Sequence, residues 1–204
     1  MKKLLIATRN PGKLAEIKNF LSDLSIQIVS LSEQDISEDF KEEGKTYAEN
    51  SNEKAKFYAK LSGLPTIADD GGIEIAALNF EPGPKSRRWL GHEATDEELI
   101  EHMKKVAELL PKNNRTAYLR TVITLALPNG KTSQVKGEVR GVIVKKPHLK
   151  LLKGYPYRSF FYIPEIKKYY HEAELSDEEQ KLYNHRYKAI QKLKPIIKKV
   201  LSIK

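Results

Sequence analysis

The sequence predicts a mixed α/β fold. Short apolar runs of strand length alternate with stretches whose apolar residues recur at helical spacing. Two long β-type runs in the second half flank Pro128-Asn129-Gly130, a hairpin signal. No apolar run reaches the roughly 18 residues that a membrane-spanning helix needs, so no span is expected.

The elements follow in order. Lys3 to Thr8 reads as a strand, broken by Asn10-Pro11-Gly12, because proline fixes φ and glycine permits a tight turn. Leu14, Ile17, Phe20, Leu21 and Leu24 then fall at helical spacing, and Ile26 to Leu31 reads as a second strand. Residues 32–45 are acidic and loop-like. Thr46 to Ser62 reads as a helix, opened by a capping box in which Glu49 follows Thr46 at the third position. Pro65 to Asp69 reads as a strand ending in an Asp-Asp-Gly-Gly turn, and Ile73 to Leu78 as the strand after it. Residues 79–95, with two prolines and two glycines, read as a loop, and Thr95 starts a helix that runs through Leu110. Thr116 to Leu127 and Ser133 to Lys145 are the hairpin strands. A basic loop over 146–159 leads to a strand at Phe160 to Ile163. Ser176-Asp177-Glu178-Glu179 caps one last helix, which Pro195 is expected to kink or split.

The chain reads as a single domain over residues 1–204, with no repeat and no linker. Its opening apolar run, Leu4 to Ala7, is too short for a signal-peptide core, which favours the cytoplasm. Without cysteine there is no disulfide, no thiolate metal site and no cysteine nucleophile. The formal net charge of +9 points to polyanionic partners or to a solvated basic surface. The lysines interleave with glutamates, so charge alone does not choose between them.

Four constellations carry possible chemistry. Thr8-Arg9-Asn10-Pro11-Gly12-Lys13 lies between a strand and a helix N-terminus, where backbone N–H groups favour an anion. It reads as a phosphate site or as an ordinary turn, and it lacks P-loop spacing. Glu42, Glu43, Asp69 and Asp70 form a carboxylate set of the kind that holds Mg²⁺ together with substrate phosphates, or else loop and turn residues. Adjacent aspartates on an ideal strand face opposite sides, so Gly71-Gly72 either brings both round or leaves them separate roles, one on metal and one on water. Asn184-His185-Arg186 can reach base edges or phosphate. Gly154-Tyr155-Pro156-Tyr157-Arg158-Ser159 offers two aromatic rings for stacking on a purine, or a turn packed on the core.

These pieces occur together in a fixed order. TRNPGKLAEIK is followed by EEGKTYAENSNEKA, PTIADDGGIEIAAL, PGPKSRRWLG, AELSDEE and NHR. In this the chain resembles the inosine triphosphate pyrophosphatase family over nearly its whole length, most specifically in the first 91 residues. The resemblance implies an elongated mixed sheet with flanking helices, two lobes around a central nucleotide cleft, a homodimer and Mg²⁺ dependence. It implies hydrolysis of ITP, dITP and XTP to the monophosphate and pyrophosphate. Thr8, Asn10 and Lys13 match the family's triphosphate-binding segment, to which Arg9 adds charge. Glu42 matches its metal-site glutamate, and Asp70 its general base and metal-site aspartate, with Asp69 as a helper. Asn50 and Lys54 match residues that line the phosphate side, Ser86 and Arg88 a serine-x-arginine segment, and His185 and Arg186 a base-reading pair.

The departures fall on the base side. Gly71 replaces a serine, and the family's FGYDP segment is here Tyr155-Pro156-Tyr157-Arg158-Ser159, so an acid has become Arg158. Gln180 replaces a lysine, with Lys181 one step along and about 100° round the helix. Asn184 replaces a serine. Substrate choice is therefore less defined than the reaction. A Maf-type nucleotide pyrophosphatase is the rival enzyme, and a non-catalytic nucleotide- or RNA-binding relative the rival from another class. No membrane and no specific nucleic acid is expected as a partner.

Overall fold

A computed structural model describes residues 2–203. Its strands are β1 (Lys3–Ile6), β2 (Gln27–Ser30), β3 (Thr66–Ile75), β4 (Glu81–Pro82), β5 (Thr116–Ala126), β6 (Thr132–Ile143), β7 (Phe161–Ile163) and β8 (Lys168–Tyr169). Its helices are α1 (Pro11–Phe20), α2 (Tyr47–Ser62), α3 (Asp96–Leu109), α4 (Asp177–Tyr183) and α5 (His185–Leu201). The fold is mixed α/β, and the chain divides into two compact units.

The first unit comprises Met1–Asp70, Thr121–Gly137 and Arg186–Lys204. In it β1 pairs in parallel with β2 and with β3, so that Leu5 lies opposite Val29 on one side and Thr66 on the other. Side chains alternate along a strand. Leu4 and Ile6 enter a core with Ile17, Ile67, Ile123 and Ile190, while Leu5 and Ala7 enter another with Tyr58, Ala59 and Ala68. The sheet is therefore covered by α1 and α5 on one face and by α2 on the other.

The helices start where their caps dictate. The Asn10 side chain caps α1, and Pro11 follows at the first helical position, where no N–H is needed. Thr46 and Glu49 close the expected capping box of α2, which ends at Gly63 with φ 66.

The second unit comprises Gly71–Arg120 and Glu138–His185. Its β7 runs antiparallel to β6 and to β8, and β4 pairs with the end of β3. Ile73, Leu99, Met103, Leu119, Ile143, Phe160 and Phe161 fill its core. Capping boxes at Thr95 and Ser176 open α3 and α4.

Three expectations are corrected. Asp-Asp-Gly-Gly is not a turn, because β3 runs unbroken for ten residues through it. The glycine at 72 serves close packing instead: a Cβ there would stand 2.1 Å from Ser86 Oγ. Residues 76–78 form a 3₁₀ turn, not the end of a strand. The last helix divides at Asn184, whose extended backbone (ψ 113) ends α4, whereas Pro195 lies within α5. A proline removes one helical hydrogen bond, and the apolar face of Ile190, Leu193, Ile197 and Leu201 continues across it.

Candidate active site

Because β3 is continuous, Asp69 shares a face with Ile67 and Asp70 shares the other with Ala68. The two carboxylates therefore meet different neighbours. Asp69 is fully enclosed, with Lys13 Nζ at 2.7 Å and Arg186 Nη2 at 3.2 Å. The Thr121 hydroxyl donates to it from β5, and the Arg186 guanidinium also pairs with Glu16 of α1. Burial would raise the Asp69 carboxyl, but the positive charges of Arg186 and Lys13 outweigh it and hold the group far below the usual carboxylate range.

Asp70 faces α2. Asn50 Nδ2 donates to its Oδ2 at 3.0 Å, and the same amide's Oδ1 accepts the Gly44 N–H at 2.7 Å. Glu42, in the irregular segment before α2, pairs with Lys54 Nζ at 2.7 Å. Burial first, and the Glu42 charge second, push the Asp70 carboxyl up to about 7, against the pull of Lys13 and Asn50. Burial opposes the charge on Lys54, but Glu42, Asp70 and Asp69 more than offset it and raise its ammonium above the ordinary value.

The strand-to-helix turn at 8–13 is internally bonded. Thr8 Oγ1 accepts the Asn10 N–H at 3.2 Å, and Asn10 Oδ1 accepts the Lys13 N–H at 3.1 Å. Arg9 is exposed, and its guanidinium reaches the backbone of the segment that carries Glu42. The structure thus brings Lys13, Glu42, Asn50, Lys54, Asp69, Asp70 and Arg186 into one charged cluster in the first unit. Arg186, expected to read a base, has its guanidinium on carboxylates.

The second unit holds the other expected residues. Arg158 is buried, with its guanidinium 3.8 Å from the Tyr155 ring centre and 4.7 Å from that of Tyr170. The hydroxyl of Tyr170 lies 3.0 Å from His185 Nδ1. The Tyr157 hydroxyl donates to the Ser86 carbonyl, and burial raises that phenol above its ordinary value. Ser86 Oγ accepts the Ile73 N–H at 2.9 Å, which fixes the strand just beyond Gly71 and Gly72. Two residues that depart from the family pattern touch each other, since Asn184 Nδ2 donates to Gln180 Oε1 at 3.2 Å. Arg88 is half-buried at the end of a 3₁₀ turn, and Lys181 is exposed on α4.

Sequence reasoning missed Glu16, Gly44, Thr121 and Tyr170. Glu16 was within reach, because it lies three residues after Lys13 and so shares its face of α1. Thr121 is a hydroxyl residue at a buried position of β5, a strand that also holds Arg120 and Thr124, so its sequence alone does not single it out. Gly44 and Tyr170 carry no local signal either.

The donor set suits a hard divalent cation. Glu42 and Asp70 offer carboxylate oxygens, and the Glu42 charge adds to burial in raising the Asp70 carboxyl, so a cation between them would be favoured. Among the described residues no cluster of three or more metal-ligating side chains occurs. The remaining ligands would have to be water or substrate oxygens, as is usual for Mg²⁺. Among the described residues no helix is long and apolar enough to cross a membrane.

Comparison with known proteins places this geometry. Residues 4–196 match the Ham1 family. The chain is 39% identical over 191 residues to a dITP/XTP pyrophosphatase of Thermus thermophilus, covering 94% of this chain and 89% of that protein. It is 35% identical over 198 residues to a dITP/XTP pyrophosphatase of Desulforamulus reducens, covering 97% and 96%. Among solved structures, a HAM1 protein from Coxiella burnetii superposes with a TM-score of 0.82 at 34% identity, covering 98% of this chain and all of that one (100%).

Proposed function

This chain belongs to the Ham1 family, and we propose that it hydrolyses purine nucleoside triphosphates with non-standard bases, ITP, dITP and XTP, to the monophosphate and pyrophosphate. The observation that carries this reading is the geometry around Asp70: its buried carboxylate accepts from Asn50 and lies in the field of Glu42, with Lys54 paired to Glu42 and Lys13 to the neighbouring Asp69. Burial raises that carboxyl in the metal-free protein, the direction that makes it a better proton acceptor.

In this reading Asp70 accepts the proton of a water whose oxygen bonds to the α-phosphorus. The bond from that phosphorus to the bridging oxygen breaks, and pyrophosphate leaves. Glu42 and Asp70 are the residues to hold Mg²⁺, which when bound would neutralise phosphate charge and polarise a phosphoryl oxygen. Lys54 and Lys13 supply fixed positive charge where the phosphates become more negative. Asp69, held ionised by Lys13 and Arg186, is a poor base and serves to hold those two cations in place. By resemblance, Tyr155, Arg158 and His185 are the candidates for contact with the base. The resemblance also supports a cytoplasmic homodimer, which sedimentation would test for its oligomeric part.

Pyrophosphate release from ITP, dITP, XTP, ATP and GTP, with and without Mg²⁺, tests the reading. Release is expected from the first three and only with the metal. Asp70→Asn should lower turnover on the order of 100-fold or more while leaving the circular dichroism spectrum unchanged. Release of orthophosphate, or near wild-type turnover by that variant, would exclude it.

A further inference from the structure

Arg9 stands next to the proposed phosphate turn, yet its guanidinium is committed elsewhere. Nη2 donates to the Ser37 carbonyl at 2.8 Å and to the Glu38 carbonyl at 2.8 Å, while Nε reaches Asp39 Oδ1 at 3.3 Å. The Asp39 contact is between exposed side chains and is worth little. The two carbonyls matter more, because they belong to an irregular segment that lies in neither helix nor strand and so lacks a regular backbone hydrogen-bond ladder. Tyr58 of α2 donates to the same Glu38 carbonyl at 3.0 Å, and the Phe40 ring lies 5.6 Å from that of Phe57. At its far end the segment is tied by Asn50, which accepts the Gly44 N–H and donates to Asp70. A Cβ at residue 44 would fall 2.5 Å from that Asn50 oxygen, so the tie needs glycine there. Glu42 sits between the two ties.

We propose that Arg9 is a positioning residue for metal binding: it clamps residues 37–38 so that the segment delivers the Glu42 carboxylate to the Asp70 side of β3. This rests on the reading of Glu42 and Asp70 as the Mg²⁺ ligands. The clamp works through a guanidinium whose single terminal nitrogen spans two adjacent carbonyls, a geometry that a methyl side chain abolishes and an ammonium reproduces only in part. Groups that orient metal ligands typically change metal affinity 10–100-fold when removed.

The test is Arg9→Ala and Arg9→Lys in the full chain, with two readouts that do not depend on turnover. Hydrogen exchange of the peptide covering 37–44 should speed up several-fold in Arg9→Ala and less in Arg9→Lys, and the Gly44 amide should lose protection. Mn²⁺ affinity, measured by its electron paramagnetic resonance signal, should fall roughly 10-fold in Arg9→Ala. Unchanged exchange in 37–44 overturns the clamp, and faster exchange with unchanged Mn²⁺ affinity overturns its role toward the metal. A direct phosphate contact gives the opposite pattern: unchanged exchange and Mn²⁺ affinity, with weaker binding of inorganic tripolyphosphate. Wild-type protein that binds no Mn²⁺ removes the proposed metal site itself, while the exchange data still judge the clamp.

Discussion

Asp69 and Asp70 are one peptide bond apart and carry opposite shifts. Both are buried, so burial alone does not separate them. What differs is the partner: two cations and a hydroxyl for Asp69, an amide and a second carboxylate's charge for Asp70. Different consequences follow for stability. Asp69→Asn leaves Lys13 and Arg186 without their shared counter-charge in a site closed to water. Urea unfolding at neutral pH should show a loss of about 3 kcal/mol, the scale of a broken buried ion pair, and a loss below about 1 kcal/mol would mean that water or Glu16 takes over. Asp70→Asn should do the reverse. The folded-state carboxyl is raised from 3.8 to about 7, so its contribution to stability is fully present below pH 3.8 and is lost as pH rises through about 7. In chelator, Asp70→Asn should therefore be more stable than wild type at pH 8, with the gap closing towards pH 4. Equal unfolding midpoints at pH 8 would contradict the raised carboxyl. The identity of both aspartates was legible from the Asp-Asp pair, but their separation was not. It depends on Arg186 and Thr121, which are 117 and 52 residues away from Asp69 in sequence.

At the level of elements, what local chemistry encodes was legible. Thr46 with Glu49 and Ser176 with Glu179 announce helix starts, because the hydrogen bonds that make the cap lie within four residues. The Asp-Asp-Gly-Gly segment misleads for the complementary reason. Its composition favours a turn, whereas its conformation is set by pairing partners and by Ser86, 13 residues beyond Ile73 and so outside any local pattern. The last helical stretch breaks at Asn184, where the backbone is extended, and not at Pro195, across which the apolar face of Ile190, Leu193, Ile197 and Leu201 continues. Gly72 gives the sharpest test of this account. An added Cβ would meet Ser86 Oγ at 2.1 Å and the Gly83 carbonyl at 2.6 Å. Ser86 cannot simply rotate aside, because its hydroxyl accepts from Ile73 and donates to Gly83 at 2.6 Å. Gly72→Ala should cost about 2 kcal/mol in denaturant unfolding, in the range of overpacked sites, whereas Gly130→Ala, whose Cβ would meet nothing within 4 Å, strains only a turn with φ 85. If Gly72→Ala unfolds at the wild-type midpoint, the glycine serves no packing purpose.

The whole molecule carries a formal charge of +9, and the proposed substrate carries several negative charges at neutral pH. Much of the surface charge is locally balanced, as in the Lys56–Glu53 and Lys104–Glu101 pairs one turn apart on their helices. Such pairs contribute little to stability, but they do not cancel the excess, which acts at a distance on an approaching polyanion. The range of that field is the Debye length, about 30 Å at 0.01 M salt and about 10 Å at 0.1 M. Charges buried in the cluster around Asp69 and Asp70 are screened far less than those on the surface. Salt should therefore act mainly on encounter and binding, and little on the chemical step. With free Mg²⁺ held constant, kcat/KM for XTP should fall on the order of 10-fold between 0.01 M and 0.5 M KCl, within the range that electrostatic steering gives, while kcat changes by less than about 2-fold. The same excess charge predicts weak, sequence-independent retention on duplex DNA at low salt that is lost by about 0.2 M, because phosphate-driven binding releases counterions. A salt-independent kcat/KM would show that the +9 is too dispersed to guide substrate. DNA binding that persisted at high salt would instead point to a built nucleic-acid surface, which the proposed hydrolysis of free nucleotides does not require.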